Sequence, residues 1–290
     1  MPQDARRIYF YYLKTLFLWM TSCSFFANPS ELSSFHLSPL HLAQEFKKSV
    51  PIHLEIPPED VLAYINGLDQ ALQKSHIQIV SSQYLILVDR NQNVQVAMIF
   101  FGGTEQEPWQ FIGATSVSTG LPGTFEHFLT PLGVFAHSLE NLDFRAEGTK
   151  NEFGFRGYGA KGMRVYDFGW VKEPQGWGKK VMAIMRLQMH ATDPDFAENL
   201  LGIPRSKGCI RISASLNQFI DVYGLIDADY DAAIISGRHF WVLSPNRQPT
   251  TSSGRYLVVI ESNLKARPEW ASLPKNKTSM KGTSLMPDLK

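Results

Sequence analysis

The chain has 290 residues, 44% of them hydrophobic, and a formal net charge of +1. This length and apolar content are sufficient for one sizeable globular domain with accessory segments. The near-neutral charge does not favour nucleic-acid binding, and no repeat of about 20 to 50 residues indicates a solenoid or a propeller. The composition carries no indication of an oligomeric state.

The first 27 residues have the pattern of an export signal. Arg6 and Arg7 precede a group of aromatic residues, and a short apolar run follows Lys14 and ends near Ala27. A basic region followed by an apolar run of this length is typical of a secretory signal peptide, with an uncleaved membrane anchor as the alternative. The sequence therefore predicts a signal peptide or membrane anchor over residues 1–27, and a location in the periplasm or cell envelope.

Residues 28–81 are predicted to form an N-terminal accessory segment with one helix. The helix is expected to begin at Pro57 and Pro58, because acidic residues in the first turn suit the positive end of the helix dipole. The apolar residues that follow keep helical spacing: Val61, Leu62, Ile65, Leu68 and Leu72.

Strands dominate the predicted elements after residue 81. Six apolar or alternating runs predict strands, and the first two of them form a hairpin. These strands are expected over residues 84–89, 94–101, 110–118, 163–168, 240–243 and 256–261. From Met185 onward polar and apolar residues alternate, which predicts a strand that delivers His190 to the edge of a sheet. With one further helix over residues 216–225, the pattern predicts a mainly β fold.

Two further segments stand out by composition. Residues 136–181 are rich in aromatic residues and glycine, which indicates either a lid or wall over a cleft or a loop packed on the sheet. From Lys265 onward, polar residues and proline replace the apolar pattern, so residues 263–290 are predicted to form a flexible basic tail.

Cys209 and His190 are the candidate nucleophile and base. A free thiol is only slightly ionised at neutral pH, so a nucleophilic cysteine usually needs a nearby imidazole or positive potential. Gly208 allows close backbone approach and an N–H aimed at an oxyanion, and Arg211 can supply fixed positive charge. The alternative is a buried structural cysteine beside an unrelated histidine.

The number of cysteines favours the catalytic interpretation. The chain has two cysteines, and removal of the signal peptide takes Cys23 away. Cys209 is then left without a disulfide partner in an oxidising compartment. A free thiol there is a liability unless it has a function.

Three blocks of sequence resemble one known family. His190 begins the segment His190-x-Thr192, and fifteen residues separate it from Ser206, which begins the segment Ser206-x-Gly208-Cys209-Ile210-Arg211. This pattern is similar to the active-site signature of the L,D-transpeptidase catalytic-domain family, bacterial enzymes that cross-link peptidoglycan. The other two blocks are a Ser-Thr-Gly segment followed by a Thr-Pro-x-Gly-x-Phe segment, and an opening hairpin: residues 118–120, 130–135 and 84–89.

The resemblance implies a catalytic domain over residues 82–262, built as a β-sandwich or barrel with a few short helices and an enlarged loop segment. It implies that Cys209 attacks a peptidoglycan stem peptide after its third residue and that His190 takes the thiol proton. Backbone N–H groups of Gly208 and Cys209 are expected to bind the oxyanion. Ser206 is expected to orient His190 or the loop, and Arg211 to hold the loop or a substrate carboxylate.

Two positions depart from the family pattern: Ala191 replaces a glycine and Lys207 replaces a histidine. Lys207 is expected to favour the thiolate, while the Cβ of Ala191 challenges a close backbone approach. The alternatives are a hydrolase of the same fold (an L,D-carboxypeptidase or amidase), a non-catalytic wall-binding module, and, least favoured, a protease of proteins. No cofactor or metal is expected, because the eight histidines show no ligand spacing with Cys, Asp or Glu.

Overall fold

The computed structural model describes residues 38–271 and residue 273. The predicted signal or anchor, Cys23 and the greater part of the predicted tail lie outside these residues. The described chain contains nine strands: β1 (Gln83–Asp89), β2 (Val96–Gly102), β3 (Gln110–Ser116), β4 (Gly133–Ala136), β5 (Phe144–Arg145), β6 (Arg164–Pro174), β7 (Met182–Ala191), β8 (Ile210–Ile212) and β9 (Tyr256–Ile260). They form sheet A, in the order β3-β2-β1-β9-β4, and sheet B, in the order β5-β6-β7-β8.

Four α-helices accompany the sheets over the described range: α1 (Pro39–Ser49), α2 (Pro58–Lys74), α3 (Ala214–Tyr223) and α4 (Ala228–Ile235). Two short 3-10 turns lie at Glu198–Leu200 and Glu269–Ala271. The predicted mainly β fold with few helices is thus confirmed. Among the described residues, no helix is both long enough and apolar enough to cross a membrane.

Sheet A is covered on both faces, which explains its almost uninterrupted apolar strands. Along β1, Ile86 and its alternate neighbours face sheet B and the main core. Leu85 and Leu87 face the opposite way and pack with Leu68 of α2 in a second apolar cluster. The molecule is therefore layered, with α2 on sheet A and sheet A on sheet B.

Sheet B packs one face on the core and turns the other outward. In β7, Leu187 and Met189 are fully buried between the sheets, while the alternating residues Ile184 and Arg186 lie on the outer face. A loop of residues 146–163, between β5 and β6, covers part of that outer face. The predicted enlarged segment 136–181 therefore contains both this loop and β6, a strand of 11 residues.

The segment before residue 82 differs from its prediction, because it contains two helices rather than one. Ser38 caps α1 by accepting a hydrogen bond from the backbone N–H of His41, and proline starts the helix. Leu42 and Phe46 then pack into the core between the sheets. Since few apolar residues mark this helix in the sequence, its pattern is easily missed.

Two other expectations are corrected. Residues 240–243 do not form a strand: they make a turn in which the Phe240 ring packs on Tyr230. The predicted flexible tail begins too early, because residues 263–271 are fixed to the body of the protein. Trp270 donates a hydrogen bond of 2.6 Å to Asp60, and its ring contacts Tyr64 edge-on at 6.2 Å.

A fully buried ionic cluster joins β6, α4 and the segment between β4 and β5. Arg164 donates to Asp143 at 2.6 Å and to both oxygens of Asp227 at 2.8 Å. His137 contacts Asp143 at 2.9 Å through Nε2 and the Ile226 carbonyl at 2.8 Å through Nδ1. Burial disfavours the imidazolium, but the charge and hydrogen bonds of Asp143 outweigh it and raise the pKa of His137. The cluster therefore holds a buried guanidinium and an imidazole with a raised pKa against carboxylates.

Candidate active site

Strand register brings the candidate nucleophile and base to one face of sheet B. β7 and β8 run parallel, with His190 opposite Arg211 and Met189 opposite Ile210. Because side chains alternate along a strand, Cys209 and Arg211 share the face of His190, whereas Met189 and Ile210 point into the core. Cys209 and His190, which are 19 positions apart in sequence, thus become diagonal neighbours on this face.

The His190 imidazole is buried and its tautomer is fixed. The residue is 4% exposed, and Nδ1 lies 2.8 Å from the carbonyl oxygen of Ala191. A carbonyl oxygen only accepts, so Nδ1 carries the proton and Nε2 keeps a free lone pair. The ring of Tyr158 contacts the imidazole edge-on at 4.7 Å between centroids. His190 is therefore held as a base with one available nitrogen.

The pKa shifts of Cys209 and His190, the pair that we call the dyad, favour a neutral thiol and a neutral imidazole. Burial lowers the pKa of His190 to about 4, and the Arg211 cation acts in the same direction. Burial also raises the pKa of the Cys209 thiol above its usual value, against the opposing effects of the Gln188 backbone N–H and Arg211. Both shifts act against a resting thiolate–imidazolium pair, so a reaction at Cys209 would require His190 to take the thiol proton during attack.

The two departures from the family pattern have structural explanations. Lys207 does not approach the thiol, because its ammonium pairs with Glu126 at 3.0 Å on the surface. Ala191 is an ordinary residue of β7 opposite Ile212 and contributes its carbonyl, which any residue provides. Gly159 accommodates the methyl group: a Cβ on this glycine would lie 2.7 Å from the Ala191 Cβ.

Ser206 does not orient His190. It shapes the segment of residues 206–209, which carries Cys209 and which we call the nucleophile loop. Its hydroxyl donates to the Cys209 carbonyl at 2.5 Å and accepts from the Gly208 N–H at 3.0 Å. Gly208 has φ +131°, and a Cβ there would lie 2.7 Å from the Cε of Met185, so this position requires glycine. Since the Gly208 N–H is engaged within the loop, the Cys209 N–H is left as the candidate oxyanion donor.

The Ser-Thr-Gly and Thr-Pro blocks support this loop from behind. The Thr130 hydroxyl donates to the Gly208 carbonyl at 2.8 Å and accepts from the Gly120 N–H at 2.9 Å. The Thr119 carbonyl accepts hydrogen bonds from the backbone N–H groups of two successive residues, Arg205 at 2.9 Å and Ser206 at 3.0 Å. These blocks, recognised in the sequence only by their pattern, therefore fix the backbone that carries Cys209.

A polar network beside the dyad was not found from the sequence. Asp167, 1% exposed, accepts from Arg186 Nε at 2.7 Å and from Gln188 Nε2 at 2.8 Å. That contact turns the Gln188 oxygen toward Tyr158, whose hydroxyl donates to it at 3.2 Å. The only sequence signal was the row of polar residues on β7, because Tyr158 and Asp167 come from other segments.

Arg211 offers a cation to a bound group. Its backbone pairs with Ser118, whose N–H and carbonyl both lie 2.9 Å from their partners on Arg211. Within residues 38–271 the guanidinium has no hydrogen-bonded acceptor, and it is close enough to Cys209 for each charge to affect the other's pKa. A half-buried, unpaired guanidinium beside the candidate nucleophile is suited to binding a carboxylate.

The described residues contain no group of three or more His, Cys, Asp or Glu side chains that could hold a metal ion. The protein groups at the site are a thiol, an imidazole, a guanidinium and the polar network.

No protein-family model matches the chain, and no curated protein matches it significantly. A solved structure of a mutant of the helical cell shape determining protein Pgp2 from Campylobacter jejuni is 12% identical, with a TM-score of 0.30. That match covers 82% of this chain and 59% of the other. The structure titled with Pgp2 itself, also from Campylobacter jejuni, is 12% identical with a TM-score of 0.27, covering 70% and 58% of the two chains. The chain thus spans less than two thirds of either structure.

Proposed function

We propose that the chain is a cysteine acyltransferase of peptidoglycan, an L,D-transpeptidase that remodels the cell wall from the periplasm or cell envelope. One observation carries the proposal: on a shared sheet face, next to Cys209, His190 is a neutral base whose proton is fixed on Nδ1 by the Ala191 carbonyl. A buried structural cysteine needs no such partner, whereas acyl transfer through a thiol does.

In the first half-reaction, the Cys209 sulfur bonds to the carbonyl carbon of the third stem residue, and the thiol proton moves to Nε2 of His190. The oxyanion is stabilised by the Cys209 N–H, for which about 3 kcal/mol per well-placed donor is typical. The C–N bond then breaks, and the departing D-amino acid takes the proton from His190. A thioester on Cys209 remains.

In the second half-reaction, an amine of another stem peptide attacks the thioester and gives its proton to His190. The C–S bond breaks, and the proton returns to sulfur, so the dyad regains its neutral state. Water in place of the amine makes the same site an L,D-carboxypeptidase or amidase. Arg211 is proposed to bind a carboxylate of the stem peptide, which places the carbonyl over the thiol.

The test is intact mass of the purified protein after incubation with a carbapenem and, separately, with a tetrapeptide-bearing muropeptide. We expect a covalent adduct on Cys209 and release of D-alanine. A cross-linked product would identify a transpeptidase, whereas a trimmed monomer would identify a hydrolase. Cys209→Ala is expected to give neither adduct nor release. A folded wild-type protein without adduct or turnover would overturn the proposal in favour of a wall-binding module.

A further inference from the structure

The outer face of the β6–β7 hairpin carries exposed apolar side chains beside the nucleophile. Trp170 is 66% exposed, Ile184 67% and Met182 51%. Strand register pairs Trp170 with Arg186, and the even-numbered residues of β7 share the face of His190. We call this surface, made of Trp170, Met182, Ile184 and Arg186, the hairpin platform.

The hairpin platform is held rigidly and connects directly to Cys209. The Arg186 guanidinium lies 5.4 Å from the centre of the Trp170 ring and donates to buried Asp167 at 2.7 Å. The carbonyl oxygen of the same arginine lies 3.9 Å from the Cys209 sulfur. A molecule bound at Cys209 can therefore continue onto the indole without leaving the sheet face.

The distance along this face matches the substrate. Trp170 is two strands away from Cys209 and about two residues further along, which gives about 12 Å from strand spacings of about 4.8 Å and 3.3 Å per residue. Three extended peptide residues span about 10–11 Å. A stem peptide with its third carbonyl at Cys209 therefore brings its first residue, which is joined to an amino sugar, to the hairpin platform.

We propose that the hairpin platform binds the glycan strand of peptidoglycan, an inference that rests on the proposed function. The apolar C–H face of a sugar ring stacks on an indole, whose exposed face is large and rigid. Sugar hydroxyl and acetamido oxygens then accept from the Arg186 guanidinium and from Lys172, which is opposite Ile184. One indole with two aliphatic side chains matches one or two sugar rings and is far smaller than the roughly 800 Å² per partner of a stable protein interface.

The first test uses peptide-free glycan strands and the full chain, with binding measured by calorimetry. We expect Trp170→Ala to weaken binding about tenfold or more, which corresponds to about 1.4 kcal/mol. Trp241→Ala is the matched control, because Trp241 is equally exposed (70%) and lies outside both sheets. Absence of glycan binding by the wild type, or equal binding by Trp170→Ala, overturns the inference. The inference would also be overturned if the wild type is a dimer that Trp170→Ala disrupts, because the hairpin platform would then bind a second copy of the chain.

The second test compares D-alanine release from a disaccharide tetrapeptide and from the free tetrapeptide. We expect the ratio of the two kcat/KM values to fall about tenfold in Trp170→Ala and to stay unchanged in Trp241→Ala. An unchanged ratio in Trp170→Ala overturns the inference while turnover supports the proposed function. Glycan binding without turnover of either peptide leaves the inference standing and overturns the proposed function.

Discussion

At the residue scale, His190 is oriented by a main-chain oxygen, so the side chain at position 191 is expected to have little catalytic effect. In Ala191→Gly the carbonyl remains, and we predict that the rate of adduct formation changes less than about twofold. Glycine inside a strand costs about 0.5–1 kcal/mol of stability relative to alanine. Time-resolved intact mass and urea unfolding measure the two effects. A loss of activity above about tenfold would mean that the methyl group itself positions the dyad.

The low pKa of His190 sets the pH dependence of the reaction. Because burial brings this pKa to about 4, we predict that kcat/KM for D-alanine release stays level between pH 6 and 7, where a free imidazole titrates, and falls as pH drops toward 4. The same shift affects stability with a defined sign. The unfolded chain binds a proton below about pH 6.5 and the folded site does not until about pH 4, so this group destabilises the fold as pH falls through that window.

Tyr158 provides the control for this pH profile. Its ring covers His190, so Tyr158→Ala is expected to hydrate the imidazole and to move the acid limb of the kcat/KM profile upward, toward the ordinary histidine pKa. Tyr158→Phe keeps the ring and is expected to keep the wild-type limb. An identical acid limb in all three proteins would contradict burial as the cause of the low pKa.

At the element scale, Thr130 links the segment before β4 to the nucleophile loop. Thr130→Val removes the hydrogen bonds to the Gly208 carbonyl and the Gly120 N–H, and both partners stay buried. We predict a loss of about 1–3 kcal/mol in the free energy of unfolding, together with slower acylation of Cys209. Urea unfolding and intact mass measure these effects. Thr124→Val is the control, because the Thr124 side chain makes no hydrogen bond among the described residues, and equal effects of both variants would refute the linking role.

Residue chemistry and a motif resemblance made Cys209 and His190 a candidate pair, whereas the contacts that distant segments make around them were not predictable. Alternating residues predicted a strand that ends at His190, but β8, which pairs with this strand and follows Cys209, was not predicted. Tyr158 and Asp167 reach the site from a loop and from β6, and nothing in their own neighbourhoods marks them. The role of Ser206 was likewise left open, because its partners, Gly208 and Cys209, appear only once the loop is folded.

The same distinction holds for whole elements. The amphipathic pattern of α2 and the apolar runs of sheet A were visible, because they extend over several turns or several alternations. α1 has few apolar positions and is stabilised by packing Phe46 against Phe219 of α3. Residues 240–243 have the apolar content of a strand, but no neighbouring strand is available to pair with them in the described fold.

At the scale of the whole molecule, the buried ionic cluster ties sheet B to α4 and is expected to be a main determinant of stability. Asp143→Asn removes the buried carboxylate that contacts both Arg164 and His137, while Arg164 keeps its contacts with Asp227. We predict a loss of about 3–5 kcal/mol in the free energy of unfolding, measured by urea denaturation. Glu126→Gln, which breaks an exposed pair, is expected to cost less than about 1 kcal/mol. Similar losses for both variants would contradict a special role for the cluster.

The neutral dyad also has a consequence for the survival of the protein. Oxidation of cysteine by peroxide proceeds through the thiolate, so a thiol with a raised pKa is oxidised slowly. Under the proposed function, Cys209 is expected to become a strong nucleophile only while a bound acyl donor lies close enough for His190 to remove the thiol proton. Cys209, the free cysteine of the described residues, is thus expected to stay in its reduced form for long periods without a reductant to regenerate it.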